Sequence, residues 1–172
     1  MANKDEVLED LVDLLFAQME LPREDGRGWM ETERELFSGL RRLLLSHPHA
    51  VSLLATHSAR SVEALAPIET SLRTLMRAGF GHQGVVDGHR VLMSFTLGYL
   101  ISEVSLFDDP SLDPNSWGTA AYALRDLPAD ELPHLAELAP VALAQTTDRQ
   151  FDTCLTVILS GLKQALDAER SG

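Results

Sequence analysis

Six histidines and 26 acidic side chains in 172 residues supply ample material for a metal or acid–base site, so spacing decides whether one exists. His47 and His49 flank Pro48 at a helix stop, but zinc takes four ligands and no third one is in register, which leaves helix capping and solvent contact as their roles. Glu131-x-x-His134 has the spacing with which four-helix bundles hold a di-iron centre. That chemistry needs a second copy and two further glutamates, and Pro133 breaks the helix between the two ligands. The expectation is no metal and no cofactor. Cys154 is the single cysteine, which excludes an intramolecular disulfide and a multi-cysteine zinc site; lying in an apolar helical run, it reads as a buried structural thiol. His57, His89 and Glu103 are of the types that move protons, yet nothing in the sequence pairs them. The fingerprints Gly-x-Ser-x-Gly, His-Glu-x-x-His, the phosphate loop and the dinucleotide loop do not occur. No catalytic residue and no enzyme activity are expected.

The balance of charge narrows the partners. With 14 basic against 26 acidic residues the net charge is −12, and a chain of that sign does not grip duplex DNA alone, because affinity there comes from Lys and Arg neutralising phosphates. A hydrophobic share of 45%, a charged share of 23% and a mean hydropathy of −0.03 place the chain among ordinary globular proteins rather than disordered ones. The length suits a single domain over residues 1–172. No run approaches the ~20 apolar residues of a membrane span and no signal peptide opens the chain, so the expectation is a cytoplasmic protein with no membrane partner.

Apolar residues recur at helical spacing almost throughout, which predicts an all-α fold, a bundle of about seven helices. The first starts at Asn3 as N-cap with Glu6 three residues later and runs inward through Leu8, Leu11, Val12, Leu15 and Met19. A charged turn, "LPREDGRG", leads to a helix from Trp29 with Leu36, Phe37, Leu40, Leu43 and Leu44 on one side, stopped by "SHPH". A short helix near 50–55 follows. In the next, Ile68, Leu72, Leu75 and Met76 face inward, Pro67 either kinks it or marks its first turn, and Gly79 takes the left-handed C′ position. A long helix spans 82–107, apolar over more than one face. Residues 108–128 carry three Pro and a Gly and read as a loop with a helical piece at Thr119 to Leu124. A helix with Leu135, Leu138 and Leu143 precedes the last, whose stripe is Phe151, Leu155, Ile158, Leu162 and Leu166. Two helices this apolar either pack against their own copies across a two-fold axis, as a four-helix bundle, or lie at the centre of a monomeric one. The methionines Met19, Met30, Met76 and Met93 serve as core filler or as the adaptable wall of a ligand cavity. A helical scaffold protein without any ligand is the alternative to a sensor.

Four segments in this order and spacing, "WMETERELFSGLRRLLLSHPHA", "LRTLMRAGF", "SFTLGYLISEVS" and "FDTCLTVILSGLKQAL", resemble the C-terminal regulatory domain of TetR-type (tetracycline-repressor-like) transcriptional regulators. The likeness covers nearly the whole chain and is weakest at 108–128. It implies a ligand-binding and dimerisation domain that senses a small drug-like or lipophilic effector and thereby releases an intact repressor from DNA. "NKDEVL" then resembles the start of the helix that follows the DNA-reading head, a helix-turn-helix unit of about 45 residues that is absent from this sequence, so that DNA is a partner only through that head. Carried over by position, the resemblance places Phe16, Met19, Leu36, Leu40, Leu54, His57, Ile68, Ser71, Leu72, Met76, Val86, His89 and Met93 at the ligand. It places Phe95, Tyr99, Phe151, Leu155, Ile158, Leu162 and Leu166 in a homodimer interface. Members that hold a Mg²⁺–tetracycline chelate use a histidine and a glutamate where this chain has Leu54 or Ala55 and Ser102, with Glu103 one residue away. One residue turns a side chain by about 100° around a helix, so Mg²⁺-tetracycline is not the expected ligand.

Overall fold

Helices occupy the stretches where apolar spacing is regular, and α-helical runs at Leu45 and Ala78 stop where the chain supplies a proline or a glycine. The computed structural model describes residues 4–23, 25–54, 57, 59–104 and 128–171. Among these, α1 is Lys4–Phe16, α2 Trp29–Leu45, α3 Val51–Leu54 behind a 3-10 turn at Pro48–Ala50, α4 Val62–Ala78, α5 His82–Val104, α6 Pro133–Leu143 and α7 Thr147–Ser171. The described residues contain no strand, as the all-α expectation requires. The Asn3 cap, the end of the long helix beyond Val104 and the helical piece at Thr119 to Leu124 lie outside the described residues.

Local chemistry explains the ends. Ser61 Oγ accepts from the Ala64 N–H at 3.2 Å, satisfying one of the orphan donors at the start of α4. Gly79 closes α4 at φ +96°, where an L side chain is strained, and the Gly79 and Phe80 amides bond back to Met76 and Leu75. Pro67 neither begins nor ends α4; it lies inside the helix, buried, and its missing N–H costs a single intrahelical bond. Pro133 sits in the first turn of α6, where no donor is needed.

α4 packs on α1, α2 and α5, and α5 packs in turn on α2 and α7. Their shared core joins Val12, Leu15, Phe16 and Met19 to Leu36, Phe37, Leu40 and Leu44 of α2, Leu92 and Leu100 of α5, and Phe151, Leu155 and Leu159 of α7. A smaller cluster of Leu75, Phe80, Val85 and Leu166 lies near the α4–α5 turn, with Trp29 edge-on to Phe80 at 5.3 Å between ring centres. Two expected inward residues are corrected. Leu11 is 48% exposed because the i, i+3, i+4, i+7 set of Val12, Leu15, Phe16 and Met19 already fills the buried arc. Met76 is 53% exposed because the inner face of α4 runs through Ala64, Pro67, Ser71 and Leu75, about 100° away. Leu135 and Leu138 of α6 are exposed as well.

An ion pair also lies in the interior. Arg41 of α2 donates from both Nε, at 2.9 Å, and Nη2 to the Glu103 carboxylate of α5, and both residues are buried. Asp148 at the start of α7 takes the remaining arm, 2.7 Å from Arg41 Nη1. The guanidinium lies over the Phe151 ring, 5.0 Å from its centre, with Tyr99 at 5.9 Å. Tyr99 OH donates to the Thr147 carbonyl at 2.7 Å, which closes the arrangement onto α7. Removing one member strands a buried charge, so Glu103→Leu alone is expected to cost about 3–5 kcal/mol, whereas Arg41→Met with Glu103→Leu recovers most of that loss. Urea unfolding of the single and double variants measures it; equal losses in both would show that the pair is not what the fold depends on.

Candidate functional site

Nine side chains from the α1 end, α2, α4 and α5 meet around one small interior space: Phe16, Met19, Leu36, Phe37, Leu40, Pro67, Ile68, His89 and Met93. Its volume is about 10 Å³, room for one water molecule. The cavity is shut. Its walls are apolar except at His89, and Met19 and Met93, with three side-chain torsions each, are the walls best able to yield.

Seven of the residues expected at the ligand meet here: Phe16, Met19, Leu36, Leu40, Ile68, His89 and Met93. Phe37 and Pro67 join them without having been singled out, although Phe37 already stood on the inward stripe of its helix. The other six are placed elsewhere. Leu54 packs, half-buried, on the outside of the main core. His57 is half-buried after α3, its amide bonded to the Leu53 carbonyl. Leu72 joins the second cluster, Met76 and Val86 are 53% and 45% exposed, and Ser71 is fully buried behind His89.

Ser71 belongs to a polar edge whose deepest member sequence reasoning missed. Ser71 Oγ donates to Glu33 Oε2 at 2.8 Å, and His89 Nδ1 lies 3.1 Å from the same Oγ. With the hydroxyl proton directed at Glu33, His89 is the donor to Ser71. Glu33 has no exposed surface, and burial pushes its carboxyl up to about 8, the Ser71 bond acting weakly against this. Burial lowers His89, whose ring lies 6.2 Å from that of Phe37. At neutral pH both groups are therefore mainly uncharged. Glu33 Oε1 and Thr96 Oγ1 are buried with no hydrogen-bond partner among the described residues. The only sequence signal for Glu33 was a glutamate one turn before Phe37 on the inward face of α2.

This is not a catalytic triad. In a nucleophilic site histidine stands between serine and acid to take the serine proton, whereas here serine stands between the other two and is fully buried. Glu103, the third proton-transfer candidate, is committed to Arg41. Ser102 is exposed and bonds to the Gly98 carbonyl of its own helix. His47 Nδ1 sits 3.1 Å from the Leu43 carbonyl at the α2 terminus, a capping position. No group of three His, Cys, Asp or Glu among the described residues is arranged to hold a metal ion.

The aromatic residues expected between protomers are engaged within this one. Phe95 stacks on Phe151 at 5.3 Å, Tyr99 meets the same ring edge-on, and Phe151, Leu155 and Leu166 are 2%, 0% and 2% exposed. Ile158 and Leu162 are half-buried against the core. The outward faces of the same helices carry Val91, Gly98 and Ile101 on α5 and Val157 and Gly161 on α7; a Cβ added at either glycine meets nothing within 4 Å. Two open grooves are wider than the closed cavity. One of about 570 Å³ lies between α1 and the 3-10 turn, walled by Leu11, Leu14, Leu15, Pro48 and Leu53. The other, about 440 Å³, lies between the turn before α2 and α4 and gathers Arg23, Arg27, Arg73 and Arg77.

The buried carboxyl has a pH signature. Unfolded, Glu33 ionises near 4.5; folded, it keeps its proton until about 8, so stability falls as pH rises between those values. Glu33→Gln lacks this penalty, and its stability relative to the natural chain should improve by a few kcal/mol, order of magnitude, from pH 5 to pH 8.5. Thermal unfolding at both pH values tests this; a pH-independent difference would contradict it.

Comparison with known proteins agrees with the helix order. The family profile described as "Tetracyclin repressor-like, C-terminal domain" matches residues 21–166. An "HTH-type transcriptional regulator" of Saccharopolyspora erythraea is 32% identical over 103 residues, covering 60% of this chain and 44% of that protein, so the chain spans under half the length of this curated relative. Apo ActR of Streptomyces coelicolor superposes with a TM-score of 0.79 at 24% identity, over 97% of this chain and 77% of that one. ActR in complex with actinorhodin gives 0.78 at 25% identity, over 95% and 78%. No helix among the described residues is long and apolar enough to cross a membrane. On the match over most of its length, the chain belongs to the tetracycline-repressor-like C-terminal domain family of transcriptional regulators.

Proposed function

We propose that this chain is the ligand-sensing and dimerising body of a cytoplasmic transcriptional repressor, in which a small lipophilic molecule wedges open the closed cavity and so releases the intact regulator from DNA. The observation that carries the reading is the convergence of Phe16, Met19, Leu36, Leu40, Ile68, His89 and Met93 on one space, residues from four separate segments that the family resemblance alone brings together. ActR, of the same fold, has been seen with actinorhodin bound.

The closed form defines the energetics. A ligand must open about 10 Å³ to its own volume, and its apparent affinity falls by the fraction of molecules already open. Only a ligand that prefers the open state shifts the equilibrium. α1 is the lever: Phe16 at its end and Met19 just beyond wall the cavity, while Val7, Leu11 and Leu14 face outward, on the side away from the core. Displacing the inner side moves the outer one, and with it any DNA-reading head that the helix carries. DNA contact belongs to that head, since the chain itself has a net charge of −12.

Homodimerisation runs through the outward stripes of α5 and α7. Val91, Gly98 and Ile101 and Val157 and Gly161 are exposed, uncharged and mostly small, which allows helices to approach closely across a two-fold axis. Phe95, Tyr99, Phe151 and Leu155 support that surface from below. The chain should scatter light as a particle of twice 18.9 kDa, and Val157→Asp, at a position 67% exposed, should give a folded monomer. A Val157→Asp protein that remains dimeric would place the interface elsewhere.

The sensor reading is tested by thermal unfolding with 1-naphthylmethanol, an apolar probe with one hydroxyl. At a concentration a hundred times its dissociation constant, stabilisation of about 2.7 kcal/mol is expected, a rise of roughly 5 °C or more. Met93→Trp, whose larger side chain takes the space a ligand would open, should remove the rise while circular dichroism stays helical. An unchanged midpoint at every concentration favours the ligand-free scaffold.

A further inference from the structure

The geometry points to a lipophilic amine, carried as its ammonium, as the ligand class that this cavity selects, with Glu33 as the specificity-determining residue. The inference rests on the sensor reading above and adds to it a charge. Glu33 lies on α2 one helical turn from Phe37 and Leu36, both cavity walls, and it reaches His89, another wall, through a single serine. It has no exposed surface, yet Oε1 is without a partner and Glu33 forms no ion pair among the described residues. The groups that face it across the packing are Ser71 of α4 and, behind that, His89 of α5, neither of them a cation at neutral pH. Arg34, the adjacent basic residue on its own helix, is turned to Asp152 and Thr156 of α7.

A buried polar atom left without a partner destabilises the fold, and evolution keeps such atoms where something else completes them. The chemistry of the completing group follows from the surroundings. The walls are otherwise hydrocarbon and aromatic, so the body of the ligand is apolar. Glu33 is not itself a wall of the shut space; a ligand that parts Phe37 from His89 brings its polar group to this carboxyl, which burial holds at about 8, hence within roughly one pH unit of ionising at neutral pH. An ammonium arriving beside it favours the carboxylate, the proton leaves to solvent, and the new ion pair sits in a dry site where attraction is poorly screened. A neutral alcohol gains only a hydrogen bond. A carboxylate ligand meets an acid that can no longer ionise and is disfavoured.

The test uses three probes of one shape, 1-naphthylmethylamine, 1-naphthylmethanol and 1-naphthoic acid, titrated into the full chain at pH 7.5 by calorimetry. The expected order is amine, alcohol, acid, with the amine bound at least tenfold more tightly than the alcohol. Amine binding should also release a proton, seen as a dependence of the measured heat on the ionisation heat of the buffer. In Glu33→Gln the amine-to-alcohol ratio should fall to near one. Equal binding of amine and alcohol by the natural chain, or a ratio unchanged in Glu33→Gln, overturns the amine selectivity while leaving the sensor reading intact. Binding of none of the three contradicts the sensor reading and the selectivity together. The probe ratio in the natural chain decides the matter even if the variant does not fold.

Discussion

Arg41 and Glu103 stand 62 residues apart in sequence and meet in the interior, where each would be costly alone. Their union fixes how α2, α5 and α7 lie against one another, because Asp148 takes a third arm of the guanidinium and the Phe151 and Tyr99 rings close over it. Hydrocarbon contacts are non-directional and tolerate sliding; a forked guanidinium on a carboxylate does not. The cavity lies further along the same two helices. Leu36 and Leu40 stand five and one residues before Arg41, and Met93 and His89 lie ten and fourteen before Glu103. The ion pair thus ties these two helices together at one end, and the cavity residues follow along them toward the other.

At that other end the polar groups are arranged in the opposite manner. Arg41 and Glu103 are charged and mutually satisfied, whereas Glu33 and His89 are held mainly neutral and Glu33 keeps an orphan oxygen. One buried glutamate is a fastener and the other is an open valence. The molecule accepts a stability cost at Glu33 that a leucine would avoid, and such local cost is expected at sites that must bind something rather than merely pack. The free volume between Phe16, Met19, Leu36 and His89 is small, and a cavity that collapses on its own side chains loses less packing energy than an empty one.

Periodicity made the helices legible. The stops at Pro48 and Gly79 follow from backbone chemistry that neighbouring residues cannot override. Which apolar residue faced inward was less legible, because several helices carry more apolar positions than their buried arc holds. Leu11 and Met76 read as core positions for that reason and are exposed. The stripe on α7 shows the same ambiguity: Phe151, Leu155 and Leu166, which the resemblance places between protomers, are buried within one, and Val157 is the outward residue. Seven of the cavity residues follow from the family resemblance, not from any pattern visible in the residues alone. Glu33 and its link to Ser71 had no sequence signature, since a glutamate on a helix is ordinarily solvated and only the packing of α4 and α5 over it makes it unusual.

The central claim is that the shut space between α1, α2, α4 and α5 opens for an apolar ligand. Methionine methyl groups report on it directly, since Met19 and Met93 line the space whereas Met76 is exposed on the outside of α4. Methyl-labelled methionine NMR during titration with 1-naphthylmethanol is predicted to move the Met19 and Met93 signals together, saturably, with Met76 unchanged. Signals that stay fixed for Met19 and Met93, or a response confined to Met76, would show that the interior does not open and that the account is wrong.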